Sequence, residues 1–201
     1  MHQQFRDRFV LKEYGALIQG HVGGCEGEVG TSKFRTAIDF RYRPWMTLVS
    51  DGYVDELESR MDRSKWVEGI LKDTRDTGGK ENVSGWRVGR RGSVKLEGGG
   101  EADVTEVKFI PRTGRTHQLR ITAREVWGRG ILGDEGYAVG GEAKGVDNLG
   151  GGGEEEVEIN ERWGKGMCLN SKRLKWKHRI TGQVVDVRIG DWWEDYFETA
   201  E

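Results

Sequence analysis

The sequence predicts an α+β fold built on a mixed, mainly antiparallel sheet with flanking helices. Six short runs rich in apolar, β-branched or aromatic residues are bounded by glycine and turn residues, whereas only two segments carry helical spacing. Consecutive runs in the middle and at the end of the chain are joined by short turn-rich links, which favours antiparallel pairing. In chain order, "FVLKEYGALIQGHV" (9–22) closes on His-Val-Gly-Gly and reads as a strand, and "MTLVS" (46–50) reads as another. "DELESRMDRSKWVEGILKDT" (55–74) spaces Leu57, Met61, Val67, Ile70 and Leu71 as one face of an amphipathic helix. "NVSGWRVGRR" (82–91) and "ADVTEVKFIP" (102–111) form two strands of an antiparallel pair across a Gly-rich link. "TGRTHQLRITAREVW" (113–127) is a helix with Thr116 as its N-cap and Leu119, Ile121, Ala123 and Val126 toward the core. Arg120 and Arg124 lie one turn apart on another face of it. "MCLNSKRLKWK" (167–177) and "GQVVDVRIG" (182–190) close the fold as a hairpin around "HRITG".

At 201 residues, the chain has enough material for one core, or one core plus a lobe. Hydrophobic residues make up 35% and charged residues 33%, and the 32 glycines are about twice the usual share. Much of that surplus sits in "EGGGE" (97–101) and "NLGGGGEEEVE" (148–158), which read as flexible insertions and leave the folding parts more ordinary. No apolar run reaches the length of a membrane span, and "MHQQFRDRF" has neither the signal-peptide nor the transit-peptide pattern. Cys25 and Cys168 fit no metal spacing, and two lone cysteines suggest a reducing compartment.

The net charge of −2 is unevenly spread. Between Thr105 and Gly130, six lysines and arginines face only Glu106 and Glu125, and between Arg162 and Arg188 eight face only Asp186. Acidic residues gather between Glu142 and Glu161. Such basic segments permit a nucleic-acid surface without demonstrating one. The stretch "RTGRTHQLRIT" (112–122) leaves two readings open: an anion site at a helix N-terminus with Arg115, or arginines solvated on a helix face. A P-loop is excluded, because the Gly-Lys-Ser/Thr ending is absent.

The order of motifs narrows the choice. "TGRTHQLR" (113–120), then "ILGDEGY" (131–137), then "CLNSKRLKWKHRITG" (168–182), resembles the RluA-like family of RNA pseudouridine synthases. That family shows TGR[ST]HQ[IL]R, a GHPILGDxxY segment and a late LHAxxLxFxHPxTG hairpin. Upstream, "QFRDRFVLKEYGALIQGHV" (4–22), "DFRYRPWM" (39–46) and "GKENVSGWRV" (79–88) are similar to further family segments in the same order. The resemblance covers most of residues 1–49 and 79–190.

The resemblance implies isomerisation of uridine to pseudouridine in RNA, with no metal or cofactor, after the base has been flipped out of its stack. It makes Tyr14 the pocket tyrosine, stacked on the uracil and assisting proton removal from carbon 5. Taken without the resemblance, Tyr14 reads as an inward strand aromatic with a bonded hydroxyl. Arg120 matches the arginine that pairs with the catalytic carboxylate, a task suited to a guanidinium fork. Leu119 and Leu169 would line the base pocket, and Arg112, Arg115, Lys172 and Lys175 would meet phosphate. His117 and Gln118 read as buttresses of the turn. The implied partner is RNA, either tRNA or rRNA, with no membrane, and the protein is expected to act as a monomer.

The pattern breaks at the nucleophile. The family's aspartate stands in an HRLDxxTSG motif that these 201 residues do not contain. Asp7, Asp39, Asp51 and Asp134 stand in other contexts, and Asp39 and Asp134 match non-nucleophilic positions. Elsewhere Thr122, Arg129-Gly130, Asn170-Ser171 and Arg179 replace family residues. The expectation is therefore one catalytic domain over 1–201, truncated at its N-terminus to the C-terminal two-thirds. It would carry a helical insertion at about 52–78 and a Gly/Glu-rich loop at about 140–161. Without the carboxylate the chain as it stands is expected to be inactive. The alternative is a non-catalytic RNA-binding paralogue or a partial gene product.

Overall fold

The computed structural model describes residues 10–38, 46–48, 80–137 and 154–200. Its centre is strand β1 (Leu11–Gln19), whose Ala16, Leu17 and Ile18 are fully buried. An unbroken apolar run of that kind belongs to a strand covered on both faces. Around it lie β2 (Val29–Ile38), β3 (Met46–Leu48), β4 (Lys80–Lys95), β5 (Glu101–Pro111), β6 (Leu169–Lys177), β7 (Val184–Arg188) and β8 (Phe197–Thr199). The sheet order is β3-β2-β4-β5-β1-β6-β7, with β8 pairing the far end of β4, and every described strand pair is antiparallel. The predicted class and its mainly antiparallel sheet are what the structure shows.

The two central connections explain the tight pairing. The "EGGGE" link, expected to be a flexible insertion, is a compact hairpin turn between β4 and β5. Gly98, Gly99 and Gly100 all take positive φ, and the Leu96 N–H donates to the Gly100 carbonyl at 3.1 Å. Side chains resist that left-handed backbone, so the glycines make the turn rather than loosen it. The β6–β7 hairpin closes through "HRITG", with the His178 N–H donating to the Gln183 carbonyl at 2.7 Å.

Two α-helices accompany the sheet among the described residues, α1 (Gln118–Trp127) and α2 (Glu154–Trp163), and a short 3-10 turn, Glu194–Tyr196, precedes β8. The first starts later than the sequence suggests. Thr116 is not its cap; His117 takes that position in left-handed conformation (φ 53°), with no side-chain cap bond. Leu119, Ile121 and Ala123 face the core as expected, and Arg124 is buried as well. The second helix occupies the later part of what reads as a Gly/Glu-rich loop over 140–161. Its Glu156, Asn160 and Trp163 are buried, which gives an acidic, glycine-flanked segment a reason to fold. The expected helix at 55–74, the insertion at 52–78 and the segments 4–9 and 39–45 lie outside the described residues. Both cysteines are free; Cys25 is exposed and Cys168 buried.

Candidate functional site

The two faces of β1 carry different chemistry. Tyr14 stands directly opposite Phe109 of β5, and Phe109 stands opposite Trp86 of β4, so an aromatic row crosses three strands on one face. Trp127 of α1 packs edge-on against Trp86 (5.2 Å between centroids) and tilted against Phe109 (6.0 Å), which places the helix over this face. Opposite Ala16 on β6 is Leu169, also packed against the core, so Leu169 shares the Tyr14 face. Leu119 belongs to the same buried cluster.

Residues 112–117 form the turn from β5 into α1, and Gln118 pins it. Its Oε1 accepts from the Thr113 hydroxyl (2.8 Å) and the Arg115 N–H (3.0 Å), while its Nε2 donates to the Val83 carbonyl (3.1 Å) and Ser84 Oγ (2.8 Å). A buried amide satisfied in this way fixes a loop more firmly than apolar contact does. Arg112 and Arg115 are exposed at the outside of the turn, and Arg115 Nε donates to the Glu81 carbonyl (3.2 Å).

Arg120 sits in the first turn of α1, and its fork is engaged. Nε and Nη2 donate to the two oxygens of Asp134 at 2.8 and 2.5 Å, and the guanidinium lies 4.6 Å from the centre of the Tyr137 ring. Asp134 is buried and also accepts the N–H groups of Gly136 (3.1 Å) and Tyr137 (3.2 Å). With four donors on its two oxygens, this carboxylate is an anchor and a poor nucleophile. "ILGDEGY" is therefore the turn that holds the arginine still. The sequence signal for the anchor, an aspartate three residues before a tyrosine, is legible only once Arg120 is known to approach it.

His117 shares a 3.0 Å hydrogen bond between Nδ1 and the Tyr137 hydroxyl. Burial lowers its pKa below the ordinary 6.5 and the Arg120 charge lowers it further, while Asp134 opposes both. The fold thus favours the neutral ring. The stability this contributes is complete above the ordinary value and is lost as pH falls through it toward the folded value. In an NMR titration of the histidine ring, His117 titrates below 6.5, Arg120→Gln moves it up and Asp134→Asn moves it further down. An unchanged midpoint in both variants would refute this electrostatic coupling.

Lys172 and Lys175 stand on the reverse face. Lys172 is the extra residue of a β-bulge in β6, and a Cβ on Gly15 would fall 2.8 Å from its Cδ, so it lies across the bare glycine and away from Tyr14. There it pairs with Asp191 and with Glu106 (3.4 Å). Lys175 stands opposite Leu11, the side opposite Tyr14 as well. Arg173 on this face bridges Glu13 (3.1 Å) and Asp186 (2.7 Å). Two of the eight positive charges that the sequence concentrates in 162–188, Lys172 and Arg173, are thus met by carboxylates distant in sequence.

Sequence reasoning passed over Lys12, two residues before Tyr14 and on its face. Its ammonium donates to the Thr113 carbonyl at 3.3 Å, and half-burial lowers its pKa.

Against known proteins, no family model matches the chain. It is 29% identical over 138 residues to the dual-specificity RNA pseudouridine synthase RluA of Haemophilus ducreyi, covering 69% of this chain and 46% of that protein. The chain therefore spans about half the length of this curated relative. Among solved structures, it superposes on human RNA pseudouridylate synthase domain containing 1 with a TM-score of 0.58 at 20% identity, over 99% of this chain and 63% of that one. Human RNA pseudouridylate synthase domain containing 4 gives 0.53 at 18% identity, over 94% and 61%. At these identities, the structural matches speak for the fold.

Proposed function

We propose that this chain, RluA-like in its motif order and in its fold, binds RNA through a flipped uridine held on the Tyr14 face. One observation carries the reading: a guanidinium fixed by a buried carboxylate stands on the helix that covers an aromatic row containing Tyr14. Tyr14 stacks on the uracil, Leu119 and Leu169 wall the base, and Arg112 and Arg115 meet the flanking phosphates. Arg120, preset by Asp134, is the group that would orient a nucleophilic carboxylate in the isomerisation of uridine to pseudouridine. No HRLDxxTSG motif occurs in the 201 residues, and the carboxylate nearest to Arg120 among those described is already saturated. As it stands, the chain binds RNA without turning it over, and catalysis requires a carboxylate from outside these residues. The RNA is a structured tRNA or rRNA, and the protein acts as a monomer.

The test is release of tritium from RNA labelled at carbon 5 of uridine. The 201-residue chain gives background release while retaining RNA affinity in a mobility-shift titration. Release above background would show that a carboxylate in this chain serves as the nucleophile; loss of all RNA binding would remove the reading altogether.

A further inference from the structure

The cations near the turn are not equivalent. On the reverse face, Lys172, Arg173 and Arg90 each meet carboxylates. Lys12, by contrast, has no acidic partner among the described residues. Its single described acceptor is the neutral Thr113 carbonyl, and its ammonium would lie 3.6 Å from a Cβ on exposed Gly114. A half-buried ammonium whose only acceptor is a neutral carbonyl retains unspent charge, and a strongly hydrated point charge of this kind favours an oxyanion. Position gives that charge a target. Lys12 and Tyr14 are separated by two residues of one strand, about 6.5–7 Å, and point to the same face. That separation is on the scale of one nucleotide from its base to its phosphate.

We infer that Lys12 binds the backbone phosphate of the nucleotide whose base rests on Tyr14, so that one strand grips both ends of the flipped nucleotide. The inference rests on the uridine-binding reading above and adds to it a substrate contact from beneath the turn, complementing Arg112 and Arg115 on its outside. Binding replaces water at the ammonium with a phosphate oxygen, and the Thr113 carbonyl holds the amine beside exposed Gly114. No covalent step is involved.

The experiment is a salt-dependent anisotropy titration of a uridine-bearing RNA stem–loop with wild type, Lys12→Met and Lys12→Arg. A phosphate contact on a single-stranded loop contributes about 0.7 to the slope of log affinity against log salt. Lys12→Met is expected to lose about that much slope and to bind several-fold more weakly at low salt. Lys12→Arg, which keeps the charge and any packing of the stem, is expected to retain the slope. If Lys12→Met folds and matches wild type in slope and affinity, the inference is overturned and the uridine reading survives. If both variants lose affinity while their slopes stay at the wild-type value, Lys12 acts by bracing the turn, which also overturns it. If wild type shows no affinity for the RNA, the underlying reading fails and this inference with it.

Discussion

Replacing Arg124 with methionine lowers the stability of the protein by about 3–5 kcal/mol, the cost of leaving one member of a buried ion pair alone. The side chains of Arg124 and Glu156 are both fully buried, and they pair directly across the contact between α1 and α2. Nη1 of Arg124 also donates to the Gly128 carbonyl at 3.2 Å. Deleting the arginine strands a buried carboxylate, with the half-exposed Arg129 at 3.7 Å and the Gly130 N–H at 3.4 Å, both on its other oxygen, left to compensate. The double variant Arg124→Met/Glu156→Met removes both charges and recovers most of the loss, because two apolar side chains of similar length need no desolvation. Urea unfolding of the two variants measures both effects. A loss under about 1 kcal/mol in the single variant, or no recovery in the double, would show that the pair is not what joins the helices. The consequence reaches the site, since α1 also carries Arg120, and the second anchor of that helix is the Asp134 turn.

Tyr14→Ala abolishes the preference of the protein for a uridine over an abasic site in an otherwise identical RNA loop. Base–aromatic stacking contributes about 1–3 kcal/mol per base, so wild type discriminates between the two RNAs by roughly 5- to 150-fold. Tyr14 is partly buried, with Phe109 and Trp86 extending its row into the core, so the ring is held in place before the base arrives. Truncation removes the stacking partner while leaving that row in place, and the two RNAs then bind alike. Equal discrimination by wild type and variant in anisotropy titrations would place the base elsewhere.

Much of the fold was legible because local pattern decides it. The β4–β5 and β6–β7 pairs follow from alternation and turn residues, and β1 follows from its apolar run. The helix start was misplaced by one residue because a threonine is an intrinsically good cap. Here Gln118 holds the turn from inside, and the cap position falls to a left-handed His117. The later part of the loop expected over 140–161 is helix from Glu154 on, while 140–153 lies outside the described residues; glutamates beside glycines look solvated, and nothing local marks Glu156 as the partner of an arginine 32 residues earlier. The same limit applies to the site. Arg120 and Tyr14 stand out through their motifs, but which face each lysine takes depends on a bulge in β6 and on Gly15. Composition reveals neither. Charge counting along the chain therefore overstated the basic surface, and it missed Lys12, a single cation whose importance comes from having no acidic partner among the described residues.

Photocrosslinking an RNA loop that carries 5-bromouridine, followed by mass spectrometric location of the linked residue, tests the central assignment most directly. Links are expected on the Tyr14 face, at Tyr14 itself, Leu169 or the turn from Arg112 to Arg120. Links confined to Lys172, Arg173 and Lys175 on the reverse face would contradict it.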